Sequence, residues 1–199
     1  MLNPWNVDAL AEIEKETGGR VWNILQLRHH PAIIGLREKV RYGPADKVYD
    51  VDLTYMTSRG RWYHISWKGD VSRSGGITTN IGIHFFDMLI WVFGEVKSIE
   101  VYELTEDTAS GYIQLERARV RWTLSIDYDR IPEQVRAQGK RTFRSLQMDG
   151  EEIEFSDGFT ELHTRSYQAI LEGNGFGLEA ARPCIELAYQ IRNSPITSR

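Results

Sequence analysis

Three polar residues interrupt an otherwise apolar run. In Ser74-Gly75-Gly76-Ile77-Thr78-Thr79-Asn80-Ile81-Gly82-Ile83-His84-Phe85-Phe86-Asp87, the residues Asn80, His84 and Asp87 fall at i, i+4 and i+7. On a helix that spacing stacks their side chains along one face. The residues around them, Ile81, Ile83, Phe85, Phe86, Met88, Leu89 and Ile90, are apolar nearly all round, so the helix belongs in a core. Polar groups on a buried helix must be hydrogen-bonded or put to use. An imidazole titrates near neutral pH and can take a proton from a hydroxyl if a neighbour holds its ring. An amide has no place for that proton and suits hydrogen bonding. A carboxylate can orient the ring, contact a substrate or pair with an arginine. The same spacing also suits a core histidine bonded to a backbone carbonyl, and the pattern alone leaves both readings open.

A second group follows a predicted strand end, in Gln26-Leu27-Arg28-His29-His30-Pro31. Ligands bind at strand ends of open α/β sheets. Arg28 there could clamp a carboxylate or pyrophosphate with two parallel bonds. The alternative is a surface arginine and a histidine that only starts a helix. A third group is cationic and aromatic: Arg59, Arg61, Trp62, Tyr63, Trp67, Lys68 and Arg73. Such a segment can attract phosphate or carboxylate and stack a base, or be a solvated loop. His163, Arg165 and Tyr167 open a predicted helix and could reach the same crevice, whereas Arg182 and Pro183 suit packing.

The totals narrow the classes. At 199 residues, with 41% hydrophobic and 26% charged residues, the chain can bury one sizeable core. A net charge of -4 and the lack of a basic block argue against nucleic acid as a partner. A single cysteine, Cys184, excludes an internal disulfide and a cysteine-based zinc site, and no metal is expected. It fits a reducing cytoplasm and an inert core position. The run from Ile81 to Phe93 is broken by His84 and Asp87 and reads as too short for a membrane span. The N-terminus lacks the features of a signal peptide.

The elements that must position these residues read as α+β. A helix over about 7–17, capped by Asn6, precedes a short strand over 21–27 and a helix opened by Pro31. From Tyr49 to Tyr55 apolar and polar residues alternate, predicting a half-buried strand. Residues 58–74 read as a long loop with a short strand at 62–66. The apolar helix runs over about 76–93. Strands follow over 96–104, 109–115, 118–128, 141–148 and 151–155, with Asp149-Gly150 as a tight turn. A mobile loop over 131–140 and helices over 161–172 and 178–193 complete the pattern. This is an open, mostly antiparallel sheet with helices on one face. Its other face, if it carries Trp122, Leu124 and Ile126, would be apolar and best covered by another copy of the chain.

Taken together, the segment from Gln26 to Pro31, the Gly75-Gly76 pair with Asn80, His84 and Asp87, and the tail with His163-Thr164-Arg165-Ser166-Tyr167 and Gly175-Phe176-Gly177-Leu178-Glu179-Ala180-Ala181-Arg182-Pro183 resemble the C-terminal part of the Gfo/Idh/MocA oxidoreductases. The resemblance implies that residues 1–30 are a helix-strand remnant of a Rossmann domain and that 31–199 form the family's C-terminal α+β domain. It implies NAD as cofactor, a cytoplasmic role in surface-polysaccharide (lipopolysaccharide O-antigen) synthesis, and oxidation of the 3-hydroxyl of a UDP-N-acetylglucosaminuronate-like sugar. The chain lacks a Gly-x-Gly-x-x-Gly fingerprint and the family's Glu-Lys-Pro segment, whose lysine belongs to the catalytic site. The expectation is therefore a truncated, substrate-binding and oligomerising half, inactive alone. On this reading His84 is the base, and Asn80, Asp87, Arg28, His30, Trp62, Tyr63, Arg73 and Arg165 contact the nucleotide sugar. Gln26 and Asn80 contact the cofactor. The alternatives are a sugar- or nucleotide-binding module without redox chemistry, and a structural association domain.

Overall fold

The alternation from Tyr49 onward builds the central strand of the domain. The computed structural model describes residues 1–155 and 159–198. β1 (Tyr49–Thr57) lies in a six-stranded sheet with β2 (Val96–Leu104), β3 (Thr108–Leu115), β4 (Ala118–Ser125), β5 (Thr142–Met148) and β6 (Glu151–Glu152), in the order β2-β3-β4-β1-β5-β6. β1 runs parallel to β4, with Leu53 opposite Trp122, and antiparallel to β5, with Leu53 opposite Leu146. The other pairs are antiparallel. The turn between β5 and β6 places Asp149 at φ 54 and Gly150 at φ 81, as an Asp-Gly hairpin requires.

Val51, Leu53, Ile113, Val120, Trp122, Leu124 and Leu146 form the inward face and are buried. A pleated strand sends neighbouring residues to opposite faces. The outward face therefore carries Asp50, Asp52, Arg119, Arg121, Tyr112 and Gln114, with Arg119 on Asp50 at 2.9 Å and Arg121 on Asp52 at 2.6 Å. This corrects the expected apolar open face: Trp122, Leu124 and Ile126 lie under the helices, and cross-strand ion pairs cover the other side.

The helix layer is built on α5 (Ile83–Phe93), whose Phe86 meets Trp122 edge-on at 5.3 Å. α8 (Leu178–Asn193) packs on α5, and α1 (Pro4–Thr17) packs on α8. By length and composition the stretch 71–93 could cross a membrane, but 67% of its most apolar window is buried inside this fold. α2 (Pro31–Tyr42) opens on Pro31 as expected and also packs on α5.

Three local expectations are corrected. α1 starts at Pro4, three residues earlier than expected, because Asn3 is the cap and the Asn6 side chain accepts from its backbone N–H at 3.0 Å. Residues 21–27 do not form a strand. Only Asn23 makes a bridge, its backbone N–H donating to the Phe176 carbonyl at 2.8 Å, and the chain then turns through a 3-10 helix at Gln26–His29. A buried strand needs ladder partners, and here Leu25 and Leu27 reach the core without them. The stretch 62–66 is helical: α3 (Arg61–Ile65) buries Tyr63, and α4 (Val71–Ser74) is capped by Asp70, whose Oδ1 accepts from Ser72 N at 2.9 Å. The remaining elements, α6 (Glu133–Arg136) and α7 (Leu162–Leu171), fall within the expected loop and near the expected helix.

Candidate functional site

The segment between α4 and α5 is not a simple helix start. Gly75 and Gly76 both adopt the left-handed conformation, at φ 72 and φ 68. At Gly75 a side chain is also excluded by space, since a Cβ would collide with Arg192 and Thr79. Thr78–Gly82 then form a π-helical turn that runs into α5. Such wide turns are rare and recur at functional sites. Here the turn carries Asn80, and His84 follows on the first turn of α5.

Both side chains are held by other segments. Gln26 Nε2 lies 3.2 Å from His84 Nδ1. Asn80 Nδ2 donates to the Tyr63 hydroxyl at 3.0 Å, and Tyr63 is itself buried. Arg192 of α8 donates to Thr79 Oγ1 at 2.9 Å and to Asn3 Oδ1 at 3.0 Å, tying the π turn to α1. Burial holds the His84 imidazole below its usual range, and the neighbouring His163 pushes it the same way. His84 is therefore neutral at pH 7 and can accept a proton.

Asn80 and His84 form the wall between two cavities. The larger, of about 410 Å³, is lined also by Asn23, Trp67, Arg73 and Thr79. The smaller, of about 210 Å³, is lined also by Gln26, Tyr55, Arg59, Phe85, Arg144 and Phe159. His84 makes no hydrogen bond besides that to Gln26 among the described residues, so its second ring nitrogen is left for a ligand. Among the described residues no group of three His, Cys, Asp or Glu is placed to hold a metal ion.

Several expected contacts sit elsewhere. Asp87 is 2% exposed, and both its oxygens accept from Arg28, at 3.0 Å from Nε and 2.6 Å from Nη2. Arg28 also donates to the Ala180 carbonyl at 2.9 Å and lies over Phe176 at 4.9 Å. Burial pushes the Asp87 carboxyl up, and the Arg28 bonds oppose that shift. The pair lines neither cavity and bolts the 3-10 turn, α5 and α8 together, so the geometry fits the arginine-pairing alternative rather than direct ligand contact. His30 is buried as the cap of α2, its Nδ1 accepting from Ala32 N at 3.2 Å, and its ring meets Phe159 at 5.2 Å. The ring lines neither cavity. Arg165 donates to the His29 carbonyl at 3.3 Å on the surface. Trp62 is exposed beneath Lys68, outside both cavities, and the Tyr63 ring is buried as support for Asn80. Arg73 does line the larger cavity, and Gln26 lines the smaller.

Sequence reasoning overlooked Tyr55, Arg144 and Phe159. Arg144 had a signal: on β5 it shares its phase with Leu146 and Met148, so it is a cation on an inward face. Tyr55 likewise shares its phase with Val51 and Leu53.

Residues 37–136 match the family described as the oxidoreductase family, C-terminal alpha/beta domain (GFO_IDH_MocA_C). The fold also matches solved structures. The WlbA (WbpB) dehydrogenase from Thermus thermophilus in complex with NAD and alpha-ketoglutarate is 49% identical, with a TM-score of 0.95 over 100% of this chain and 64% of that one. The same dehydrogenase in complex with NAD and UDP-GlcNAcA gives 48% identity and a TM-score of 0.92, again over 100% and 64%. The WlbA dehydrogenase from Bordetella pertussis in complex with NADH and UDP-GlcNAcA shares the fold at 17% identity and a TM-score of 0.75, over 96% of this chain and 65% of that one. The chain thus spans a little under two thirds of the proteins it matches.

Proposed function

This chain belongs to the Gfo/Idh/MocA oxidoreductase family, and we propose that it forms the substrate-binding and oligomerising half of an NAD-dependent nucleotide-sugar dehydrogenase. In this reading the reaction oxidises the 3-hydroxyl of a UDP-N-acetylglucosaminuronate-like sugar, in the cytoplasm, for surface-polysaccharide synthesis. The similarity to a dehydrogenase solved with NAD and UDP-GlcNAcA supports the substrate class. The observation that carries the mechanism is the neutral His84 on the wall between two cavities.

The His84 ring is tied through Nδ1, which leaves Nε2 as the base. It takes the hydroxyl proton as the carbon–hydrogen bond breaks, and the alcohol becomes a ketone. NAD, when bound, accepts the hydride. Asn80 cannot take a proton, and its amide, fixed by Tyr63, hydrogen-bonds the sugar or the nicotinamide end. The residues present fit only part of the cofactor. Asn80, Thr79 and Arg73 line a cavity beside His84, but the chain has no glycine-rich fingerprint for a pyrophosphate. In this reading the greater part of NAD is held by a dinucleotide-binding domain. Homo-oligomerisation uses the outward face of the sheet, where Tyr112 and the Asp–Arg pairs lie uncovered.

Calorimetric titration with UDP-N-acetylglucosaminuronate, with and without NAD, tests the reading. Saturable binding of the sugar nucleotide by this chain supports it. Absence of any binding of the sugar nucleotide to the chain counts against a substrate-binding half. Light scattering checks the interface: a strict monomer at every concentration removes the oligomer from the proposal.

A further inference from the structure

We propose that Thr79 is a further ligand-contact residue, whose hydroxyl, held by Arg192, donates to an amide carbonyl of the ligand bound in the larger cavity. This rests on the nucleotide-sugar reading above. Thr79 sits on the π turn one residue before Asn80 and lines the same cavity as Asn80 and His84. It is 8% exposed, so its hydroxyl needs hydrogen-bond partners. Arg192 supplies one, Nη1 donating to Thr79 Oγ1 at 2.9 Å. A hydroxyl that accepts in this way still has one proton to give. Among the described residues nothing accepts that proton. The neighbouring Thr78, by contrast, donates its own hydroxyl to the Gly75 carbonyl at 3.5 Å.

Arg192 is an expensive group to use as a plain tie. Its other donors go to the Leu2 carbonyl and to Asn3 Oδ1, and among the described residues no carboxylate pairs with it. A part-buried guanidinium bonded only to neutral oxygens gives up hydration without the return of an ion pair. Gly75 leaves it the room, since a Cβ there would collide with it. The charge fixes the Thr79 oxygen from behind and polarises its O–H bond, which strengthens the donor. What the ligand must bring is an acceptor. At about 410 Å³ the cavity falls within the roughly 300–1,000 Å³ of small-molecule sites. Two amide carbonyls lie near the reacting carbon in the nucleotide-sugar reading. One belongs to the acetamido group on the carbon next to the oxidised hydroxyl, the other to the carboxamide of the nicotinamide that takes the hydride. A ligand placed against His84 brings one of them into the cavity that Thr79 lines. A site built around such a hydrogen bond also rejects the analogue that lacks it.

The test titrates three probes by calorimetry: UDP-N-acetylglucosaminuronate, UDP-glucuronate, which has a hydroxyl in place of the acetamido group, and nicotinamide mononucleotide. The proteins are the wild-type chain, Thr79→Val, Thr79→Ser and Arg192→Gln. Thr79→Val keeps the shape and loses the hydroxyl. It is expected to weaken an amide-bearing probe by roughly 5- to 20-fold, the effect of leaving a polar group unpaired, and to leave UDP-glucuronate unchanged. A loss for the acetamido sugar assigns the sugar's carbonyl, and a loss for the mononucleotide assigns the carboxamide. Thr79→Ser keeps the hydroxyl and is expected to retain wild-type affinity. Arg192→Gln is expected to weaken the same probe as Thr79→Val and to spare UDP-glucuronate, a selectivity that a merely structural tie would not show. If Thr79→Val does not fold, Thr79→Ala, which puts no extra methyl against Arg192, decides. Unchanged affinity of the hydroxyl-free variant for both amide-bearing probes overturns the proposal while the nucleotide-sugar reading stands. So does an equal loss for the two sugar nucleotides, which marks a part they share. A wild type that binds neither sugar nucleotide overturns that reading, and the Thr79 contact falls with it.

Discussion

Gln26 Nε2 approaches His84 Nδ1 to 3.2 Å across 58 residues of sequence, and the contact joins the 3-10 turn to the first turn of α5. The Gln26 Oε1 atom is buried without a hydrogen-bond partner. Turning the amide over gives Oε1 a donor, the Nδ1–H of His84, and O and N of an amide are assigned by such networks. That arrangement gives the His84 tautomer with a lone pair on Nε2, the form a general base requires.

Removing the base tests its role directly. In a protein that carries this domain together with a dinucleotide-binding domain, His84→Ala should lower kcat for NAD reduction by about 100-fold or more. Sugar-nucleotide affinity, measured separately by calorimetry, should change far less. Equal activity of the variant and the wild type would place the base elsewhere.

The pH profile follows from burial of the same ring. The His84 pKa lies below 6.5, so the acid limb of kcat should fall below that pH. Gln26→Glu puts a carboxylate beside the ring, favours the imidazolium and should move the limb to higher pH. Stability obeys the same sign. The unfolded ring binds a proton from about pH 6.5 downward, while the folded ring resists until lower pH. The contribution is complete above 6.5 and is lost as the pH falls, and denaturant midpoints measured between pH 7 and pH 5 would show it.

The stripe of Asn80, His84 and Asp87 was legible because helical spacing is a local property, and so were most strands of the sheet. What each polar residue touches was not local. Arg28 and Asp87 are 59 residues apart, and nothing in either segment announces their pairing. His30 looked like a ligand contact by its place after a predicted strand, yet Pro31 makes it a cap. The 21–27 segment has the composition of a strand and no neighbour to pair with, so its fate was set by tertiary packing. The π turn preserves the face shared by Asn80 and His84 without a distinct sequence sign beyond its glycines. Arg144 was legible in principle, as a cation out of place on an apolar face of β5, and its meaning appears only when β1, β5 and α5 are brought together.

Gly75 should not tolerate a side chain. Its φ of 72 is unfavourable for any L-residue, and a Cβ there would push on Arg192 and Thr79. Gly75→Ala should cost about 1–3 kcal/mol by thermal or urea unfolding. Because Arg192 ties Thr79 to α1, the substitution should also loosen residues 2–17. Hydrogen exchange of the α1 amides reads that effect, and an unchanged α1 would show that the tie does not depend on the glycine.

The Arg28–Asp87 pair separates a structural role from a ligand-binding one. Their side chains are 10% and 3% exposed, so removing one partner leaves a charge buried without its counterpart. Asp87→Ala and Arg28→Ala should each cost about 3–5 kcal/mol. Replacing both with Leu and Met removes the buried charges together and should recover a large part of the loss, although the Ala180 carbonyl also forfeits its donor. A urea double-mutant cycle measures the coupling. If the pair only bolts the fold, the double variant binds UDP-N-acetylglucosaminuronate with nearly wild-type affinity once folded. If it recovers stability and still fails to bind, Arg28 or Asp87 reaches the ligand in the bound state, and the assignment of both residues to packing is wrong.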